Sequence, residues 1–365
     1  MKFLSKIKTP SLLLNETVCR RNIERMSLKA NVKKIDFRPH FKTHVSAEIG
    51  NWFRDAGVTA ITVSSVAMAR FFAINDWNDI TIAFPVNIRE IDGINELASR
   101  ITLRLVVENA FAADFLGRNL KNRAGIFLKV DTGYHRTGIA PENQKLFDEV
   151  LSSLDKYDNM EFMGFLTHSG QTYKVTRKDA VIEIHKQAVS ILHTLKNRYI
   201  DQYPNLILSV GDTPSCSIVE DLGDIDEIRP GNFVFYDLMQ ERIGSCSYDD
   251  IALVMACPVV AKHPGRREIV IFGGAVHLSK EFIAGPDGNP CFGLVVEPLS
   301  DGWSDPVAGV WVSSLSQEHG VIKSDNKTFF DKTGIGDLVL ILPVHSCLTA
   351  NLMKEFRLLD NRIIS

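Results

Sequence analysis

The stretch that decides the fold lies between residues 80 and 130. It reads Ile80-Thr81-Ile82-Ala83-Phe84, then Leu103-Arg104-Leu105-Val106-Val107, then Gly125-Ile126-Phe127-Leu128-Lys129-Val130. Each run is short, apolar and rich in β-branched residues, and each is followed by a polar turn and a helical pattern. The rhythm continues outward in both directions. Upstream stand Lys34-Ile35-Asp36-Phe37 and Ala60-Ile61-Thr62-Val63; downstream stand Phe162-Met163-Gly164-Phe165-Leu166, Leu206-Ile207-Leu208-Ser209-Val210 and the stretch from Ile225 to Phe235. Between the last strands, Arg177 to Asn197 spaces Val181, Ile182, Ile184, Ala188, Ile191, Leu192 and Leu195 as one helix face. Eight β/α units in about 210 residues predict an α/β fold, a closed (β/α)8 barrel of the TIM type. The competing open, doubly wound sheet lacks a Gly-rich dinucleotide fingerprint after its first strand.

From about residue 245 the texture changes. Ile251 to Val260, Glu268 to Phe272, Gly293 to Glu297, Val310 to Ser314, Gly320 to Lys323 and Asp337 to Leu342 are short strands parted by Gly, Pro and Asp turns. They predict a mostly antiparallel C-terminal β domain. Ser11 to Leu14 can pair into it, with Asn15 capping the helix that follows. The expected organisation is an N-terminal strand segment (1–15), a barrel (16–243) and a β domain (244–365).

A chain of 365 residues exceeds the usual span of one core, which agrees with two domains. Its net charge of -3 and pI near 6.4 offer no basic footprint for nucleic acid or anionic membranes. The most basic short stretch, His263 to Arg267, is broken by proline and glycine and reads as a solvated turn. No apolar run approaches the ~20 residues of a membrane span. Leu12 to Leu14 is too short for the core of a signal peptide, so a cytoplasmic protein is expected. Six scattered cysteines without a CxxC pair are expected to be free, mostly buried thiols, with Cys347 the exception.

Barrel active sites sit at the C-terminal ends of the strands. After the first comes Arg38-Pro39-His40-Phe41-Lys42-Thr43-His44. In an extended chain Arg38, His40, Lys42 and His44 share one face. Crowded cations either serve an anion or ease proton loss from a lysine; the same residues read equally as a solvated basic turn. After the fifth strand, Asp131-Thr132-Gly133-Tyr134-His135-Arg136-Thr137-Gly138 could bring Arg136 inward or merely build a turn. After the sixth, His168 could act as a base, stack on a planar cofactor, or simply be hydrogen-bonded. Gly211-Asp212-Thr213-Pro214-Ser215 and Arg229-Pro230-Gly231-Asn232, with Tyr236 beyond, occupy the two loops where barrels favour phosphate. Near the C-terminus, His345 and Cys347 fall on one face if the segment is extended. Imidazole plus thiolate is a zinc-type pair, and a buried thiol beside a core histidine is the plainer alternative.

In this order the motifs resemble the alanine-racemase-like (fold-type III) pyridoxal phosphate (PLP) enzymes, and more narrowly the group of metal-dependent D-serine dehydratase and D-threonine aldolase. The resemblance runs from Thr9-Pro10 to Asn351. It implies a PLP-binding barrel in which Lys42 carries the cofactor as a Schiff base. It further implies that Arg136 and His168 approach the ring, that His40 is among the cofactor-binding residues, that Gly211, Thr213 and Tyr236 lie around the phosphate, and that Tyr173 lies near the substrate. His345 and Cys347 would hold Zn2+ beside the substrate hydroxyl, and the protein would be a homodimer acting on a small D-amino acid. The aldolase branch resembles His-x-Asp at that pair, whereas this chain has His-x-Cys, as in the dehydratase branch. The expected reaction is therefore β-elimination of water from a D-3-hydroxy amino acid, giving a keto acid and ammonia, with Lys42 removing the α-proton. The alternatives are retro-aldol cleavage to glycine and an aldehyde with His168 as base, racemisation, and PLP binding without turnover. Racemisation needs a tyrosine from the β domain, and Tyr248 is the only tyrosine after residue 236.

Overall fold

The computed structural model describes residues 4–365. By spatial contact they divide into two compact units. One comprises Glu24–Lys42 and Gly50–Gly231; the other comprises residues 4–23, Thr43–Ile49 and Asn232–Ser365.

A 3₁₀ turn (Leu4–Lys6) precedes strand β1 (Ser11–Leu14) and helix α1 (Glu16–Lys33). Eight strands follow: β2 (Asp36–Phe37), β3 (Ile61–Val63), β4 (Asp79–Pro85), β5 (Thr102–Val107), β6 (Ala124–Lys129), β7 (Met160–Leu166), β8 (Ile207–Val210) and β9 (Glu227–Ile228). Helices alternate with them: α2 (Ala47–Asp55), α3 (Val66–Ile74), α4 (Ile91–Ala98), α5 (Ala110–Asn119), α6 (Gln144–Leu154), α7 (Lys178–Tyr199) and α8 (Thr213–Ile218). Several helices start where a short polar side chain accepts a first-turn N–H. Ser65, Asn109, Asn143 and Asp212 do so from Met68, Ala112, Leu146 and Ser215.

All eight strands pair in parallel, in the order β2-β9-β8-β7-β6-β5-β4-β3. A parallel bridge between His40 and Thr62 closes the ring, and Thr62 N–H donates to Pro39 C=O at 2.9 Å. Val106, Phe127 and Leu166 form a fully buried core cluster flanked by Ala83, Met163 and Ile207. The eighth strand is much shorter than Ile225 to Phe235. Pro230 has no N–H to extend a ladder, and Asn232–Val234 winds into a 3₁₀ turn instead.

One layer of this ring is ionic. Glu227 on β9 is 1% exposed. It accepts from Arg38 Nε at 2.6 Å and from Ser209 Oγ at 2.6 Å, and Arg104 lies 3.6 Å away. Arg38 also reaches Asp79 at 2.7 Å, and Arg229 Nε donates to Ser209 Oγ at 2.6 Å. A buried carboxylate is tolerated only with such partners.

In the second unit, β10 (Leu253–His263), β11 (Glu268–Phe272), β14 (Gly293–Val296), β15 (Val310–Leu315), β16 (His319–Ser324) and β17 (Leu338–Pro343) follow helix α9 (Leu238–Ile243). Between them lie helix α10 (Ala275–Leu278), a two-stranded ribbon of β12 (Ile283–Ala284) and β13 (Pro290–Cys291), and helix α11 (Lys327–Lys332). Because β11 pairs with both β16 and β10, the order β10-β11-β16-β15-β14-β17 returns on β10 as a closed antiparallel barrel. A bulge between Val259 and Ala261 turns the long β10 from one set of partners to the next. β1 joins β10 antiparallel, with Asn15 Oδ1 accepting from Val18 N–H at the start of α1. Helix α12 (Ser346–Met353), β18 (Phe356–Leu358) and β19 (Ile363–Ile364) complete the unit. No described helix is long and apolar enough to cross a membrane, and all six cysteines are free.

Two outcomes are expected of stability measurements. Gly164 has φ +136°, and a Cβ there would meet Ile207 C=O at 2.2 Å and Ile207 N at 2.6 Å; Gly57 has φ +84° with nothing within 4 Å. Gly164→Ala should therefore cost about 3 kcal/mol or more, and Gly57→Ala only about 1 kcal/mol. Equal urea midpoints for the two variants would contradict this. His44 is buried, its Nδ1 accepts from Ser46 N–H at 3.1 Å, and burial drives its pKa down to about 3. Below pH 6.5 the unfolded chain takes up a proton that the folded chain refuses, so stability falls with pH. At pH 5 His44 alone should cost about 2 kcal/mol. The urea midpoint should drop between pH 7.5 and pH 5, and His44→Asn should flatten the slope; a wild-type midpoint that does not move would contradict the assignment.

Candidate active site

The barrel-mouth residues come from the ends of β2, β6, β7, β8 and β9. Lys42 lies in a 3₁₀ turn, Phe41–Thr43, and is exposed. That turn ends the alternation expected from residue 38 onward. Arg38 is buried in the ionic layer rather than facing the mouth. Phe41 anchors the turn, packed against Phe53, Phe72 and Trp77 at centroid distances of 4.8, 5.0 and 5.0 Å. His40 stays near Lys42, and its Nδ1 faces the Lys42 N–H at 3.4 Å.

These groups share a positive field. Burial lowers the pKa of His40 far below its ordinary value, helped by Lys42, Arg229, His168 and Lys129. Burial likewise lowers His168, helped by Lys129 and Lys42. His168 Nδ1–H donates to Gly211 C=O, which leaves Nε2 as a bare lone pair. Lys129, 5% exposed at the end of β6, is lowered by burial and by Arg229 and Arg136, against the pull of Glu108. Burial brings Arg229 down to about 10 despite Glu227. Sequence reasoning did not single out Lys129 or Arg229 as site residues. The usable signal was a lysine ending an otherwise apolar strand.

On the phosphate side, Gly211 sits where a Cβ would lie 2.9 Å from Arg229 Cβ. The buried Thr213 N–H donates to Tyr173 Oη at 3.2 Å. Tyr173 therefore meets the Gly211–Thr213 loop. Tyr236 belongs to the other unit; it is buried, with φ +49°, and its N–H donates to Asn232 C=O at 2.8 Å. Arg136 is exposed and lies over the Tyr134 ring at 4.9 Å. A ring of cations with hydroxyl and backbone donors suits a phosphorylated, anionic cofactor, and Lys42 offers it an amine.

In the second unit His345 is not on an extended segment with Cys347. It is the N-cap of α12, and Cys347 lies in that helix's first turn. The two side chains nevertheless act on each other electrostatically. Burial opposes the shift, but Cys347 raises His345 to about 9, and His345 lowers the Cys347 thiol. Each of the two groups favours the charged form of the other. Asn232 Nδ2 donates to Cys347 Sγ at 3.3 Å and to Asp237 Oδ2 at 2.6 Å. Asp237 also receives Ser346 N–H at 2.9 Å, and Thr43 Oγ1 is 3.6 Å from Cys347 Sγ. Asn232, Asp237 and Thr43 had no local sequence signal, since they meet only in the fold. Among the described residues no group of three or more His, Cys, Asp or Glu is placed to hold a metal. The pair supplies donors of the zinc type and leaves other coordination positions open.

The description "Alanine racemase, N-terminal domain" matches residues 15–238, and "Putative serine dehydratase domain" matches residues 252–359. The chain is 28% identical to a protein named D-serine dehydratase from Dictyostelium discoideum, over 99% of this chain and 96% of that protein. It is 21% identical to a D-threonine aldolase from Arthrobacter sp, over 96% of this chain and 88% of that one. The solved D-threo-3-hydroxyaspartate dehydratase from Delftia sp. shares the fold with a TM-score of 0.89 at 24% identity, covering 99% of this chain and 97% of that one. With the barrel and the antiparallel β domain in place, the chain belongs to the alanine racemase N-terminal-domain family, the fold-type III PLP enzymes.

Proposed function

We propose that the chain is a PLP- and zinc-dependent lyase that eliminates water from a D-3-hydroxy amino acid, in the manner of D-serine dehydratase. PLP bound through Lys42 would supply an electron sink for the charge left at Cα. Lys42, released when substrate binds, takes the α-proton on Nζ. His40 and His168, held neutral by burial and by the surrounding cations, add no competing charge beside it. Lys129, Arg136 and Arg229 supply positive charge to the anionic cofactor, and Gly211 with Thr213 supplies close backbone.

The observation that carries the choice of reaction is the His345–Cys347 pair. A zinc ion on it would act as a Lewis acid on the β-hydroxyl as that group leaves. Asn232 and Thr43 hold the sulfur, and Thr43 directly follows Lys42 in the chain. Loss of the proton and hydroxide gives an enamine, which water converts to keto acid and ammonia. Retro-aldol cleavage needs a base for the hydroxyl proton. His168 has its proton on Nδ1 and a strongly lowered pKa, which makes it a weak base for that task. As a further expectation, the active species is a homodimer, with a single sedimenting species at twice the chain mass.

Chelation of the purified holoprotein with EDTA should lower keto-acid formation from D-serine by roughly a thousandfold or more, the several kcal/mol of a Lewis acid. The visible absorbance of the bound cofactor should remain, and zinc should restore turnover. Cys347→Ala should behave like the chelated protein. Full activity after chelation would contradict the metal role. Glycine and an aldehyde as products would assign the aldolase reaction instead.

A further inference from the structure

Ser346 lies between the two residues of the zinc-type pair, His345 on one side and Cys347 on the other. Its N–H and its hydroxyl are both held by one carboxylate. Asp237 Oδ2 accepts from Ser346 N–H at 2.9 Å and from Ser346 Oγ–H at 3.2 Å. The same oxygen accepts from Asn232 Nδ2 at 2.6 Å, and that nitrogen also faces Ser346 Oγ at 3.1 Å and Cys347 Sγ at 3.3 Å. Asp237 is itself fixed. It is 1% exposed, and its Oδ1 accepts from Gln240 N–H at 3.0 Å to cap α9. One side chain thus grips the backbone between both donors and the amide beside the sulfur.

The start of α12 does not by itself call for this arrangement. A Ser, Thr, Asp or Asn at the cap satisfies a first turn locally. Here the cap is His345, which makes no side-chain cap hydrogen bond, and the carboxylate comes from Asp237, 109 residues away in sequence. Nor does the arrangement serve Asn232, whose Oδ1 is buried without a partner among the described residues. Turning that amide over would set its oxygen against the Asp237 carboxylate, so Asp237 dictates which end faces the sulfur. The charge of Asp237 also opposes ionisation of the Cys347 thiol, which a purely structural tie gives no reason to tolerate. A dication held by His345 and Cys347 reverses that balance, because carboxylate and metal then attract.

We propose that Asp237 is a positioning residue for the metal: it sets the spacing of His345 and Cys347 by holding Ser346, and it turns the Asn232 amide toward the sulfur. It acts through those two residues and not as a ligand. The inference rests on the zinc reading of the pair, and not on which reaction the metal assists.

The test measures zinc affinity of the holoprotein by competition with a chromophoric chelator. Wild type is compared with Asp237→Asn, Asn232→Ala and the double variant, each first checked for full cofactor absorbance. Asp237→Asn keeps the shape of the side chain but loses its charge and one acceptor oxygen. It should weaken zinc binding by about tenfold to a hundredfold, the range for a partner outside the ligands themselves. Asn232→Ala should weaken it by less. The double variant should bind zinc no more weakly than Asp237→Asn alone, because the amide acts only where Asp237 points it. With cobalt in place of zinc, the sulfur-to-metal charge-transfer absorption should shift in Asp237→Asn, whereas a loss of folding stability alone would leave it unmoved. If Asp237→Asn does not fold, Ser346→Ala decides: it removes one hydrogen bond to the carboxylate and should weaken zinc binding by about threefold to tenfold. Unchanged zinc affinity in the folded variants would overturn the role of Asp237 and leave the zinc reading in place. A wild type without zinc affinity would overturn both.

Discussion

Glu227 is nearly sealed from water and accepts hydrogen bonds from Arg38 and Ser209 while Arg104 stands beside it. A lone carboxylate in that position would be costly enough to protonate or to disrupt the strands around it. With its partners it becomes a tie between β2, β4, β5, β8 and β9, because Arg38 follows β2, Asp79 opens β4, Arg104 lies on β5 and Ser209 on β8. Removing one partner would leave the others as uncompensated buried charges, which is where such networks are most sensitive. The ring of strands and the position of Arg229 therefore depend on the same few contacts.

Arg229 carries that constraint to the mouth. Burial depresses His40, and the charge of Arg229 adds to that with those of Lys42 and Lys129; burial depresses His168 likewise, with Lys129 and Lys42 adding to it. The result is a site with cations, neutral imidazoles and backbone donors, in which carboxylates are kept occupied elsewhere. Such a field prepares a place for a phosphorylated cofactor. In the other unit the chemistry is the opposite: His345 and Cys347 stabilise each other's charged forms, and Asn232, which also donates to Asp237, donates to the sulfur.

Much of this was legible in the sequence where the pattern is local. Ile80 to Phe84, Leu103 to Val107 and Gly125 to Val130 fall within a residue or so of β4, β5 and β6, since a barrel strand must be apolar throughout. Lys42, the Gly211–Thr213 loop and the His345–Cys347 spacing were visible as residue types in order. What was not legible depends on distant partners. Nothing around Arg38 indicates a carboxylate at Glu227, so a basic face was expected where a buried ion pair stands. Nor does the local sequence show that Phe41 would seek Phe53, Phe72 and Trp77 and bend the Lys42 segment into a turn. The start of α12 at Ser346 was hidden for a related reason: it is set in part by Asp237, which receives the Ser346 N–H.

The central claim is that Lys42, and not the equally suggestive buried Lys129, is the residue joined to the cofactor. Reduction of the native holoprotein with sodium borohydride, digestion, and mass spectrometry of the peptides tests it directly. The account predicts a phosphopyridoxyl group on Lys42. The group on Lys129, or a cofactor that washes away on denaturation after reduction, would contradict it.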